Sequence, residues 1–189
     1  MAGICLRRGT HCIHMDAARP HPELESTLAS AWFSLAGERC AFTSLDGMPE
    51  LDPEAACFQL PVLSADGREA GRVLLALSDE DAQQLGVSMF GMPLDELGQE
   101  ELDDANAELC NIFGSCLVKA LDDSHQLEMG LPRRARIEAF EALSRRRMPA
   151  LTLAATLGPR HIVVAYFASA RDVDVASPAP PSTKDPRHG

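Results

Sequence analysis

No apolar stretch of this 189-residue chain is long enough to span a bilayer as a helix. Its opening residues, MAGICLRRGTHCIHMD, carry two arginines but no continuous apolar segment, so they do not read as a secretory leader. Positive charge is scarce. Lys and Arg number 17 against 28 Asp and Glu, a net charge of −11. That balance argues against nucleic acid or an anionic membrane as the main partner, since both require a basic patch. Aromatic residues make up only 5%. The single arginine cluster (Arg133, Arg134, Arg136, Arg145, Arg146, Arg147) lacks an interleaved aromatic platform and reads as a solvated or salt-bridged connector. Glycine-rich phosphate loops and Ser/His/Asp nucleophile motifs are missing, which leaves nucleotide-dependent and serine-hydrolase chemistry without support. None of the six cysteines forms a CxxC pair, and several stand where a small apolar residue would suit. They read as free thiols in a reducing cytoplasm. His11, Cys12 and His14, with Cys5 nearby, have no well-spaced fourth partner and read as chance clustering rather than a metal site.

What is present fits one globular domain: 46% hydrophobic residues, 24% charged, and a length that can bury a substantial core. Residues 1–20 read as a flexible extension closed by Arg19-Pro20-His21-Pro22, and residues 171–189, rich in proline, as a disordered tail. Between them, residues 21–170 form the domain. Leu24, Leu28, Trp32 and Leu35 line one side of a helix over 22–36. Extended segments at 55–63 and 68–77 flank Ser64-Ala65-Asp66-Gly67, whose Asp-Gly pair has hairpin chemistry. Ser78 is placed as an N-cap with Asp81 three residues on, an imperfect capping box, and the helix over 79–90 is closed by Gly91 and Pro93. A long helix follows from 99 to about 122, then a short strand at 126–131 and a basic, partly helical stretch at 132–143. A second hairpin, 151–157 and 161–167, turns at Gly158-Pro159. This order predicts an α+β fold, an antiparallel sheet with helices packed on one face.

The long helix holds the strongest clue. Leu102, Ala105, Leu109, Ile112, Phe113, Cys116, Leu117 and Ala120 recur at the spacing of one buried stripe. At about 100° per residue, Asp104, Glu108, Asn111 and Ser115 then fall roughly opposite the core. A carboxylate and a carboxamide three residues apart on an exposed face can act together on something outside the protein. Acidic residues at 103 and 104 suit the helix dipole, and Cys110 and Cys116 do not share a face well enough to pair.

The element order, with ELCNIFGS in the long helix, LLALS ending the hairpin and MFGMP closing the short helix, resembles the CheX branch of the CheC/CheX/FliY phosphatases of bacterial chemotaxis. The resemblance spans roughly residues 22–168. Glu108 and Asn111 fit that family's Glu-x-x-Asn signature, with Gly114 and Ser115 as small residues that admit the partner; Ala107 stands where the family usually has glycine. The CheC branch carries a second motif on its first helix, but ELESTLASAWF offers Glu23 and Glu25 without an Asn, so one active face per chain is implied. By resemblance the substrate is the aspartyl phosphate of a CheY-like response regulator that brings its own divalent metal, Mg. Asn111 would orient water, Glu108 would pair with the regulator's lysine, and Asp104 would extend the docking face. No cofactor or metal is expected on this chain; a cytoplasmic homodimer is implied. Two rival readings stay open: a non-catalytic adaptor of the same fold that binds a regulator or flagellar-switch component, and an α+β interaction domain unrelated to signalling.

Overall fold

The computed structural model describes residues 21–121 and 127–169, together with the backbone of two short strands near the start, β1 (Cys5–Arg8) and β2 (His11–His14). These two pair antiparallel as a separate ribbon, Cys5 opposite His14, within the segment expected as a loose extension. The side chains of the His/Cys group and the tail at 171–189 lie outside the described residues.

The domain is built on a seven-stranded, fully antiparallel sheet. Its strands are β3 (Phe42–Ser44), β4 (Ala56–Ser64), β5 (Glu69–Leu77), β6 (Leu127–Met129), β7 (Arg133–Ala135), β8 (Leu151–Leu157) and β9 (Arg160–Ala168), in the spatial order β3-β8-β9-β5-β4, with β6 and β7 both along the outer edge of β4. The expected hairpins are present. Gly67 (φ 78°) turns β4 into β5 and donates to Ser64 O at 2.7 Å; Gly158 (φ 65°) turns β8 into β9. Two strands were not legible in advance. β3 is only three residues long and exists through its pairing with β8, and β7 falls in the stretch expected as helical.

Three helices, α1 (Pro22–Ala36), α2 (Asp79–Phe90) and α3 (Gln99–Leu121), cover one face, as expected. Alternation along the strands feeds that layer: Phe58, Leu60 and Val62 from β4, Val73, Leu75 and Leu77 from β5, Ile162, Val164 and Tyr166 from β9. The intervening residues Cys57, Leu74, Ala76, Val163, Ala165 and Phe167 make a smaller core on the other face under α4 (Ile137–Arg146), through Phe140. The central strands are therefore apolar on both sides, which is why GRVLLAL and HIVVAYFA read as nearly continuous apolar runs.

Local chemistry explains the ends of these elements. Ser78 Oγ accepts from Asp81 N–H at 3.1 Å and donates to Asp81 Oδ2 at 2.6 Å. The expected box is thus half formed, because the Asp81 carboxylate turns to Arg160 (2.6 Å) instead of the Ser78 N–H. Arg160 also clasps Glu38 at 2.9 and 3.1 Å, so one guanidinium ties the β8–β9 turn to the start of α2 and the exit of α1. Asp81 is fully buried, and that burial pushes its carboxyl up from the ordinary value against the pull of the Ser78 hydroxyl and Arg160. At the other end of α1, Glu25 Oε1 accepts from His21 N–H (3.3 Å), Ser44 N–H (3.0 Å) and Ser44 Oγ (2.7 Å), fastening the helix to β3.

Two glycines let α3 settle deeply. A Cβ at Gly86 of α2 would lie 2.5 Å from Leu102 Cδ2, and one at Gly114 of α3 would lie 2.3 Å from Leu60 Cδ2. Phe113 meets Phe42 of β3 edge-to-face, centroids 5.5 Å apart, a contact worth about 1 kcal/mol beyond its area. Together these contacts set the rotation of α3, and so decide which residues face outward.

Candidate functional site on the outward arc of the long helix

α3 is buried along Ala105, Asn106, Leu109, Cys110, Phe113, Gly114 and Leu117. The outward arc is Asp104, Glu108 and Ser115, all exposed, with Asn111 half-buried between them. Among the described residues none of these four side chains takes part in a hydrogen bond or ion pair. Other polar residues of the helix are occupied. Asp103, one position before Asp104, accepts from Gln99 Nε2 at 2.9 Å and pairs with Arg134 Nη1 of β7 at 2.5 Å. Glu101 reaches back to Gly98 N–H at 3.0 Å and caps the first turn.

Glu108 and Asn111 are therefore a carboxylate and a carboxamide on adjacent turns of a helix that is packed over most of its length. Their Cβ atoms are separated by about 5–6 Å at this spacing. The carboxamide offers one acceptor oxygen and two N–H donors and does not titrate; the carboxylate offers acceptors only. Such a pair can hold a water and engage a cation on a docked surface, without binding a cofactor. Among the described residues no group of three His, Cys, Asp or Glu is placed to hold a metal.

Gly114 requires a correction. It was expected beside the signature as a small residue that admits a partner, but it is buried against Leu60 and Met129. Its missing side chain serves the approach of α3 to the sheet; Ser115 alone is small and outward. Asn106 is a polar member of the buried stripe that the apolar pattern does not include. It is 2% exposed, and its Nδ2 donates to Leu102 O (2.6 Å) and Ala82 O (3.3 Å), bridging α3 to α2. The signal was available, since at 100° per residue position 106 falls between Phe113 and Leu117 on the stripe. Cys110 and Cys116 are unpaired, as expected; burial pushes the Cys110 thiol up to about 12 and raises that of Cys116, so both behave as core residues. Among the described residues no helix is long and apolar enough to cross a membrane.

The surroundings of the arc follow from helix phase. Gly114 and Asp103 face the β6–β7 edge, which puts Asn111 on that side of the arc and Glu108 on the side toward α1. The arginine cluster expected as a connector is divided: Arg134 pairs with Asp103 beside the arc, Arg145 pairs with Glu141 on α4 at 3.2 Å, and Arg147 reaches Ala168 O at 3.4 Å.

No protein-family model matches the chain, and no curated protein matches its sequence. Solved structures do match its fold. Chemotaxis protein CheX from Vibrio vulnificus superposes with a TM-score of 0.55 over 79% of this chain and 98% of its own, at 12% identity. The Borrelia burgdorferi CheX–CheY–BeF3–Mg2+ complex matches with a TM-score of 0.54 over 77% of this chain and 95% of its own, at 18% identity. The FliM–SpeE complex of H. pylori matches with a TM-score of 0.57 over 82% and 86%, at 8% identity. The fold is thus the one these CheX and FliM structures share.

Proposed function

We propose that this chain is a CheX-type phosphatase that removes the aspartyl phosphate of a CheY-like response regulator in the cytoplasm, shortening the lifetime of a chemotaxis or related two-component signal. The observation that carries the reading is the pair Glu108 and Asn111, held outward on a helix fixed by its packing and engaged by nothing else among the described residues. The fold likeness to a CheX found in complex with CheY supports a receiver domain as the partner.

An aspartyl phosphate is an activated acyl phosphate, so most of the catalytic task is positioning. The Asn111 carboxamide oxygen accepts a hydrogen bond from a water and holds it in line with the phosphorus–oxygen bond, while the amide N–H donates toward a phosphoryl oxygen. Water attacks phosphorus, the bond to the aspartyl oxygen breaks, and the products are a carboxylate and orthophosphate, the water's proton leaving to solvent or phosphate. Asn111 neither gains nor loses a proton. Glu108 forms a charge-assisted pair with the regulator's lysine and fixes the two proteins in register. Asp104 adds acidic potential to the docking face and Ser115 leaves room beside it. The metal belongs to the substrate, as the regulator's own Mg2+. A homodimer would present two such faces.

A non-catalytic adaptor is the second reading, favoured by the likeness to FliM. The decisive experiment follows acyl-phosphate decay on the CheY-like receivers of the source organism, with this protein and with Asn111→Ala. Accelerated decay that the variant loses, with binding kept, establishes the phosphatase. Binding without acceleration on any receiver establishes the adaptor.

A further inference from the structure

Leu131 is 76% exposed, more than any other large apolar side chain among the described residues. The backbone forces it out. β6 pairs with Val62–Ser64 of β4 and β7 with Cys57–Gln59, so the ladder on this edge is interrupted opposite Leu60 and Pro61. Pro61 accepts from Gly130 N–H at 2.8 Å, but it has no N–H to return. Gly130 is drawn so close that a Cβ there would lie 2.7 Å from Pro61 Cγ. The chain then leaves the sheet for Leu131 and Pro132 before rejoining it at Arg133.

This knuckle stands beside the candidate site. Met129 lies 3.6 Å from an ideal Cβ on Gly114, and Arg134 pairs with Asp103, so the strand edge 129–134 runs along α3 from position 114 back to 103. Five strand steps and eleven helix steps both cover about 16 Å. Leu131, two residues on from Met129, therefore falls level with the Glu108–Asn111 turn, on the flank where Asn111 lies.

Resting on the phosphatase reading of α3, we propose that Leu131 is the apolar anchor of the same docking surface. The partner is a receiver domain that meets Glu108 with a cation and covers Leu131 with an apolar patch next to its phosphorylation site. The knuckle is level with the unengaged polar arc along α3, and the arc's exposed Asp104 and Glu108 select a partner with local positive charge. Leu131 stands in the open beside polar side chains that the fold does not use, so a partner that covers it takes its apolar surface out of water.

The test uses the full chain and a CheY-like receiver of the source organism activated with BeF3 and Mg2+, with affinity read by titration and folding by thermal melting. Leu131→Ala is expected to weaken binding about tenfold, and Leu131→Asp further, with melting unchanged, since burial of a leucine is worth about that much. Glu108→Ala is measured alongside. If Glu108→Ala weakens binding while both Leu131 variants bind like the parent, the anchor is refuted and the α3 reading stands. If no receiver binds the parent protein, both fall. If Leu131→Asp instead dissociates a parent dimer in sedimentation and leaves receiver affinity intact, the knuckle is a self-association contact and the proposal is overturned.

Discussion

Asn106 and Asn111 stand five residues apart on the same helix and do opposite things. Asn106 is buried, and its carboxamide bridges two helices; Asn111 lies on the outward arc, and its carboxamide bonds nothing among the described residues. Glu25 and Glu108 repeat the contrast. The first accepts three hydrogen bonds, two of which pin α1 to β3, and the second is exposed and unengaged. Glu25, one of the two carboxylates of the first helix, is occupied by the fold. Residue type alone does not mark a functional group. A polar side chain becomes a candidate when the structure holds its backbone firmly and makes no use of its polar atoms.

The sharpest way to probe the engaged class is Arg160. It is the cation for Asp81, which has no exposure to water, and it also clasps Glu38. Arg160→Ala strands a buried carboxylate and is expected to cost about 3–5 kcal/mol in chemical denaturation. Replacing both partners, Asp81→Leu with Arg160→Met, is expected to recover much of that loss, because no charge is then left buried. A small effect of Arg160→Ala would mean that water reaches Asp81 and that the network does not organise the junction of α1, α2 and the β8–β9 turn.

Gly114 comes next. Gly114→Ala gains helix propensity yet drives a methyl group into Leu60. The expected net cost is about 1–3 kcal/mol, with activity falling as α3 is lifted and the arc displaced. A neutral or stabilising outcome would show that Leu60 can move aside, and would return Gly114 to the role of a residue kept small for a partner.

These outcomes bear on how much could be read from the chain itself. Elements with strong local signals were legible: the apolar stripe of α3, the Asp-Gly turn between β4 and β5, the Ser78 cap and the glycine stops of α2 and the β8–β9 turn. So was the outward placement of Asp104, Glu108, Asn111 and Ser115, because helix phase follows from periodicity. What escaped depends on contacts distant in sequence. β3 is a strand only because β8 lies beside it, and β7 because β4 offers an edge. The placement of α4 on the opposite face follows from Phe140 joining a buried cluster with Cys57, Leu74 and Phe167, none of them near it in the chain. The buried role of Gly114 could not be told from a surface role without knowing that Leu60 faces it. The exposure of Leu131 is not local information, because it is set by a proline seventy residues earlier.

The smallest expected effect tests the contrast most directly. Asn106→Ala removes a bridge between buried helices and is expected to cost about 1–2 kcal/mol, since Ala82 O loses a donor in a site closed to water. Asn111→Ala and Glu108→Ala remove groups that the fold does not use, so each should leave unfolding free energy within about 0.5 kcal/mol of the parent. The same two substitutions carry the large functional losses expected at the receiver. Unchanged stability at 108 and 111 with lost function, beside lost stability at 106, would place the two asparagines in different physical classes. If Glu108→Ala instead lowered stability by as much as Asn106→Ala, the carboxylate would be a structural group, and the outward arc would have to be sought elsewhere on the helix layer.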